Sequence, residues 1–149
     1  MVNKPTSNKS NCLFQSVLSV LLTLALIWAA APASAKTIKI GAILAETGPA
    51  SFLGAPESRS LKMLVDEINK TGIKGGHTIE LIVKDSAASA EKAVSFAKQL
   101  IEEKQVFAII GPSTSGESLA IKKIADKNKT LLMSCGAAEL ITNPQFPWV

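Results

Sequence analysis

The chain has 149 residues, 47% hydrophobic but only 5% aromatic, and its 16 Lys and Arg outweigh 12 Asp and Glu for a formal charge of +4. That charge is too mild for a nucleic-acid-binding surface, and two cysteines, Cys12 and Cys135, are too few for a disulfide framework. The length fits one apolar core, as in single domains of about 100–150 residues.

Residues 1–35 read as a secretory signal peptide. Lys4 and Lys9 form a basic start without an acid, and Leu13 to Ala31 is almost wholly apolar. Ala33, Ser34 and Ala35 then set small residues before the bond to Lys36, the three-part layout of a cleaved leader. The competing reading is an uncleaved anchor, because the apolar run approaches the roughly 20 residues that span a bilayer. Cys12 precedes the apolar run, the wrong side for a lipid-attachment cysteine. Losing Lys4 and Lys9 lowers the formal charge from +4 to +2 and leaves Cys135 as the one cysteine. The expected location is periplasmic or extracellular.

Lys36 to Leu44 alternates and then turns apolar, as a strand entering a buried sheet does. Glu46 to Gly54 is a loop by composition, and Pro56 with Glu57 fits the first turn of a helix. Leu61, Leu64, Val65 and Ile68 fall at helical spacing, and Gly72, Gly75 and Gly76 stop that helix. His77 to Lys84 is a second strand with Ile79, Leu81 and Val83 on one side. Ala90, Ala93, Val94, Ala97, Leu100 and Ile101 form the next helical stripe, whose alanines imply close packing on the sheet. Val106 to Ile110 is a short apolar run, expected as a central strand buried on both faces. A third helix carries Leu119, Ile121, Ile124 and Ala125, Thr130 to Met133 is a fourth strand, and a loop with one helical turn follows. Gln145 to Val149 reads as the start of another strand, with nothing after Trp148 to pack on it. The order predicts an α/β fold, a parallel open sheet with helices on both faces, incomplete at the C-terminus.

In open α/β sheets, ligands bind beyond the carboxyl ends of the strands. Three loops qualify: residues 46–54, 111–116 and 134–139. The middle one opens a helix, whose free N–H groups attract carboxylates or phosphates, and it adds the hydroxyls of Ser113, Thr114 and Ser115. The same residues also fit a capping box, with Thr114 as cap and Glu117 reaching back, which leaves Ser115 as the ligand donor. Gly111 and Gly116 have P-loop spacing, but Glu117 stands where the phosphate-binding lysine belongs. A Gly-x-Ser-x-Gly nucleophile motif and a dinucleotide fingerprint are both missing. His77 is the one histidine and is expected in an exposed turn at the opposite end of the sheet. These residues therefore hold no catalytic set, no metal-ligand cluster and no cofactor motif.

Lys39 to Leu44, Thr47 to Gly54, the Val65 to Asn69 helix with Gly72 to Gly76, Ile110 to Gly116 and Leu131 to Ser134 occur in one order. Together they resemble the leucine/isoleucine/valine-binding family of type I periplasmic binding proteins. The resemblance covers residues 36–149 and implies the N-terminal part of a first ligand-binding lobe. It implies an extracytoplasmic receptor that captures a small solute for an ABC permease, and a monomer without a cofactor. Carried over by position, Leu53 matches an aromatic packed on the ligand, and Ser113 and Thr114 match backbone contacts. Ser115 matches a hydroxyl on the ligand carboxylate, and Gly136 a carbonyl that accepts from its ammonium. Ala138 matches a threonine whose hydroxyl helps hold that ammonium. The aliphatic Leu53 and the hydroxyl-free Ala138 depart from the pattern, which opens the ligand to amides and organic acids beside branched-chain or related amino acids. A ligand-sensing receptor domain of the same fold is the second reading. An α/β enzyme with catalytic residues past Val149 is the third.

Overall fold

The computed structural model describes residues 35–149. Lys4, Lys9, Cys12 and the apolar run of the expected leader lie outside the described residues. Four parallel strands, β1 (Thr37–Leu44), β2 (Thr78–Asp85), β3 (Ala108–Ile110) and β4 (Leu131–Met133), form one open sheet in the order β2-β1-β3-β4. Between them run α1 (Ser51–Thr71), α2 (Ala90–Lys98) and α3 (Ser115–Lys127). The register sets Gly41 opposite Ile82 and Ile109, and Ile109 opposite Leu132.

Alternation along the strands assigns each side chain to a face. Ile43, Ile109 and Leu132 point to the side of α2 and α3, where Ala93, Ala97, Leu100, Ile121 and Ala125 complete the core. The alanines bring the helices close, as their spacing predicts. Gly41 does the same from the strand, since a β-carbon there would lie 2.8 Å from a Leu100 methyl. The opposite face carries Ala42 and Leu44 under α1. Toward the far edge of that face, Met133 is exposed and α1 does not cover it.

The helix start differs from the sequence expectation. The α1 helix begins at Ser51, so Leu53 sits in its first turn and Pro56 lies inside it. Its opening is built by backbone: Ser51 N–H donates to the Gly48 carbonyl, and Leu53 and Gly54 donate to Ala50. Pro56 removes one helical bond, the one to Phe52. Both residues are exposed, so water can serve that carbonyl. Gly72 ends the helix with φ +83°, as its composition predicts.

The third strand is shorter than expected. Phe107 is 70% exposed and only Ala108–Ile110 pairs with neighbours, although Val106 is buried. The α2 helix widens into a π turn at Gln99–Glu103, which presents Leu100 to Gly41. His77 is half-buried rather than free in a turn: its Nδ1 accepts from Lys36 N–H at 3.0 Å and ties the start of β1 to the start of β2. Residues 145–149 form no strand. After the 3-10 turn Glu139–Ile141 they fold back, so that Leu132 N–H donates to the Trp148 carbonyl and Val149 packs on the core.

Gly54 lies against Ala45 at the end of β1, where a β-carbon would run into the Ala45 carbonyl. Gly54→Ala should therefore lower stability by about 1–3 kcal/mol despite alanine's better helix propensity. Gly116, near the start of α3, faces open space, and Gly116→Ala should stay within about 0.5 kcal/mol of the parent. Urea midpoints of the two variants measure the contrast.

Candidate functional site

The three expected loops meet at the carboxyl ends of β1, β3 and β4. Gly111, with φ +90°, brings the chain against the Ile43 carbonyl and starts the middle loop. Ser113 is buried: its hydroxyl donates to Glu57 Oε2 and accepts from Ala45 N–H at 3.1 Å. That side chain joins α1, β1 and the middle loop, so Ser113 has only its backbone to offer a ligand.

Thr114 caps α3. Its Oγ1 accepts from Glu117 N–H at 3.4 Å, and its proton goes to Glu117 Oε2 at 2.6 Å. The glutamate thus returns to the cap hydroxyl instead of the cap backbone N–H, a variation on the expected box. Glu117 is 1% exposed, and its Oε1 has no partner among the described residues.

Ser115 Oγ accepts from both Ala137 N–H and Ala138 N–H, each at 3.1 Å. Its lone pairs are therefore occupied, and the one group left to it is the hydroxyl proton. The N–H groups of Ser115 and Gly116 stand at the first two helical positions, where no intrahelical acceptor exists. On the facing segment, Gly136 N–H donates to Ser134 Oγ at 2.9 Å. Among the described residues the carbonyls of Gly136 and Ala137 accept no hydrogen bond. Gly136 presses on Ser115 so closely that a β-carbon would lie 2.9 Å from Ser115 Cα. A recess of about 420 Å³ beside this segment is lined by Ser134, Gly136, Ala138, Ile141 and Val149 among others.

The structure thus joins Ser115, Gly136 and Ala138 directly, with Thr114 beside them as cap. Leu53, 39% exposed, stands further off, linked through Gly54, Ala45 and Ser113. Sequence reading missed Glu57, Ser118 and Ser134 as parts of the frame. Serine at the end of a strand or near a helix's start is the one local signal for Ser134 and Ser118. Among the described residues no group of three His, Cys, Asp or Glu could hold a metal.

The first loop is braced by acids. Glu46 accepts from Ser58 Oγ at 2.7 Å and Lys62 Nζ at 2.9 Å, while Asp85 accepts from the amide and hydroxyl of Thr47. Hydrogen bonds from Ser58 and then Lys62 hold the Glu46 carboxyl below its ordinary 4.5. Burial, and then the charge of Glu57, push the Cys135 thiol up.

A family model described as periplasmic binding protein matches residues 37–149. The Leu/Ile/Val-binding protein BraC3 of Rhizobium johnstonii is 31% identical over 112 residues, 75% of this chain and 30% of that protein. The LivJ substrate-binding protein of Streptococcus pneumoniae, solved with isoleucine, is 34% identical with a TM-score of 0.70, covering 73% of this chain and 32% of that one. A solute-binding protein of Rhodopseudomonas palustris BisB5, solved with 3,4-dihydroxybenzoic acid, is 26% identical with a TM-score of 0.68, covering 75% and 30%. The chain therefore spans about 30% of the length of these relatives.

A carboxyl held below its ordinary pKa stabilises the fold fully above that ordinary value, and the contribution is lost as pH falls through the folded value. For Glu46 the loss begins below 4.5. The difference in urea midpoint between the parent and Glu46→Gln should be present at about pH 7 and shrink progressively as the pH is lowered below the ordinary carboxyl value.

Proposed function

This chain belongs to the periplasmic binding protein family, and from that premise we propose that it forms part of the extracytoplasmic solute receptor of an ABC transporter. The family and its neighbours are solute-binding proteins and not enzymes. Residues 36–149 are, in this reading, the N-terminal part of the first lobe, exported by residues 1–35 and delivering solute to a membrane permease.

One observation carries the reading of the site. A donor edge and an acceptor edge belong to two segments that touch where Gly136 presses on Ser115. The donor edge is the Ser115 hydroxyl proton with the free N–H groups of Ser115 and Gly116, at the positive end of α3. The acceptor edge is the pair of open carbonyls at Gly136 and Ala137. A carboxylate meets the donor edge, and a hydrogen-bond donor that reaches round the segment meets the carbonyls, which the trans peptides turn away from Ser115. Isoleucine, the ligand of the pneumococcal relative, carries an ammonium next to its carboxylate as that donor, whereas 3,4-dihydroxybenzoic acid, the ligand of the Rhodopseudomonas relative, shares the carboxylate but carries its hydroxyls on the far side of the ring.

Ala138 gives such a donor no side-chain acceptor, so the carbonyls alone meet it. An amino acid, an amide or a hydroxy acid fits this half of the site, and Leu53 offers an aliphatic contact to its side chain. Calorimetric titration of the full-length protein with L-isoleucine and 3,4-dihydroxybenzoate tests the reading. Ser115→Ala should weaken the bound solute about 10- to 100-fold, the worth of one hydrogen bond to a charged group. Ala138→Thr should strengthen isoleucine selectively. An unchanged affinity in Ser115→Ala would remove the carboxylate assignment.

A further inference from the structure

Four hydrogen-bonding groups run in series behind the site. Gly136 N–H donates to Ser134 Oγ at 2.9 Å, Ser134 and Ser118 share a bond of 2.6 Å, and Ser118 Oγ donates to the Thr114 carbonyl at 2.9 Å. The direction of the middle bond follows from the outer two. A serine hydroxyl has one proton, and the proton of Ser118 is given to a carbonyl, which can only accept. Ser134 must therefore donate to Ser118, while accepting from Gly136. Every proton in the series has one direction, from the Gly136 amide to the last carbonyl before α3.

We infer that Ser118 and Ser134 are positioning residues, a hydroxyl relay that anchors the Cys135–Gly136 peptide to the mouth of α3 and so holds in place the segment whose Gly136 and Ala137 carbonyls Ser115 orients. Ser118 is fully buried and Ser134 partly so, and neither belongs to the ligand-contact set carried over from the family. Ser115 takes the next two amides, those of Ala137 and Ala138. Three consecutive N–H groups are thus turned toward α3 and held by hydroxyls. A peptide plane fixed by its N–H fixes the preceding carbonyl, so the relay sets the Cys135 carbonyl and Ser115 sets those of Gly136 and Ala137. Hydrogen bonds in series polarise one another, which makes the middle bond felt at both ends.

Two readouts separate a relay from unrelated bonds, and only the second rests on the proposed function. In nitrogen–proton spectra of the chain, Ser134→Ala should speed Gly136 amide exchange about tenfold, the effect of losing one hydrogen bond. Ser118→Ala, which does not touch Gly136, should shift the Gly136 amide proton upfield, and the double variant should match Ser134→Ala alone at Gly136. Ser134→Thr, which keeps the hydroxyl, should restore the parent spectrum. Unchanged β1 and β2 resonances identify a folded variant, and if Ser134→Ala fails that check, Ser118→Ala and Ser134→Thr carry the test. A Gly136 signal indifferent to Ser118→Ala overturns the relay. In the full-length protein, Ser134→Ala should weaken whichever of L-isoleucine or 3,4-dihydroxybenzoate binds by about fivefold or more with little change in thermal midpoint. Unchanged affinity beside a moved Gly136 signal overturns the positioning role. If neither solute binds the parent, the proposed function fails and the spectra still decide the relay.

Discussion

At the carboxyl end of the sheet, backbone lies directly on backbone: Gly54 on Ala45, Gly111 on Ile43, Gly136 on Ser115. Each approach is closer than a β-carbon permits without displacement. Side chains would hold these segments farther apart, and the polar groups of three loops would then face separate patches of solvent. With the side chains removed, α1, the loop after β3 and the loop after β4 converge within hydrogen-bond reach. The site is a consequence of that convergence, and its geometry is set by main chain as much as by side chain.

Hydroxyls do the local joining. Ser113 links Ala45 to Glu57, Thr114 pairs with Glu117, Ser115 gathers two amides, and Ser118 and Ser134 close the remaining gap. A serine can donate one bond while accepting others, so each can satisfy groups on two segments at once. Lysine could not fill these places, because an ammonium only donates and its long stem must be ordered. The acids also take their places from this scheme. Glu117 lies in the first turn of α3, and its carboxyl group is tied to the cap hydroxyl.

The features legible in the sequence are those set within a few residues. Strand patterns, the stop at Gly72, the alanine stripe of α2 and the Thr114 cap are local. So is the choice of the 111–116 loop, since a helix opening after a buried strand needs no distant partner. The features that were not legible depend on pairs far apart in the chain. Ser113 meets Ala45 across 68 positions and Glu57 across 56. Leu132 meets Trp148 through backbone, which no side-chain pattern encodes. The early start of α1 arises from carbonyls at Gly48 and Ala50, while Pro56, read as a first-turn residue, pointed too far along. Phe107 looked buried because its neighbours are apolar, but the strand pairs only from Ala108 onward.

The two departures from the family pattern fall where the frame does not depend on side-chain chemistry. Ala138 serves the frame through its N–H, which Ser115 accepts whether the side chain is a methyl or carries a hydroxyl. Leu53 serves it through the backbone of the first turn of α1 and keeps its side chain partly exposed. Substitution at either position leaves the joined loops as they are, because both serve through backbone. Ser115, Ser118, Ser134 and Gly136 have no such freedom, because each uses its hydroxyl or its lack of a β-carbon to hold another segment. The polar frame and the two departures are therefore carried by different residues. In the proposed function, a carboxylate would meet the frame, and Leu53 and Ala138 would set the choice among solutes that carry one.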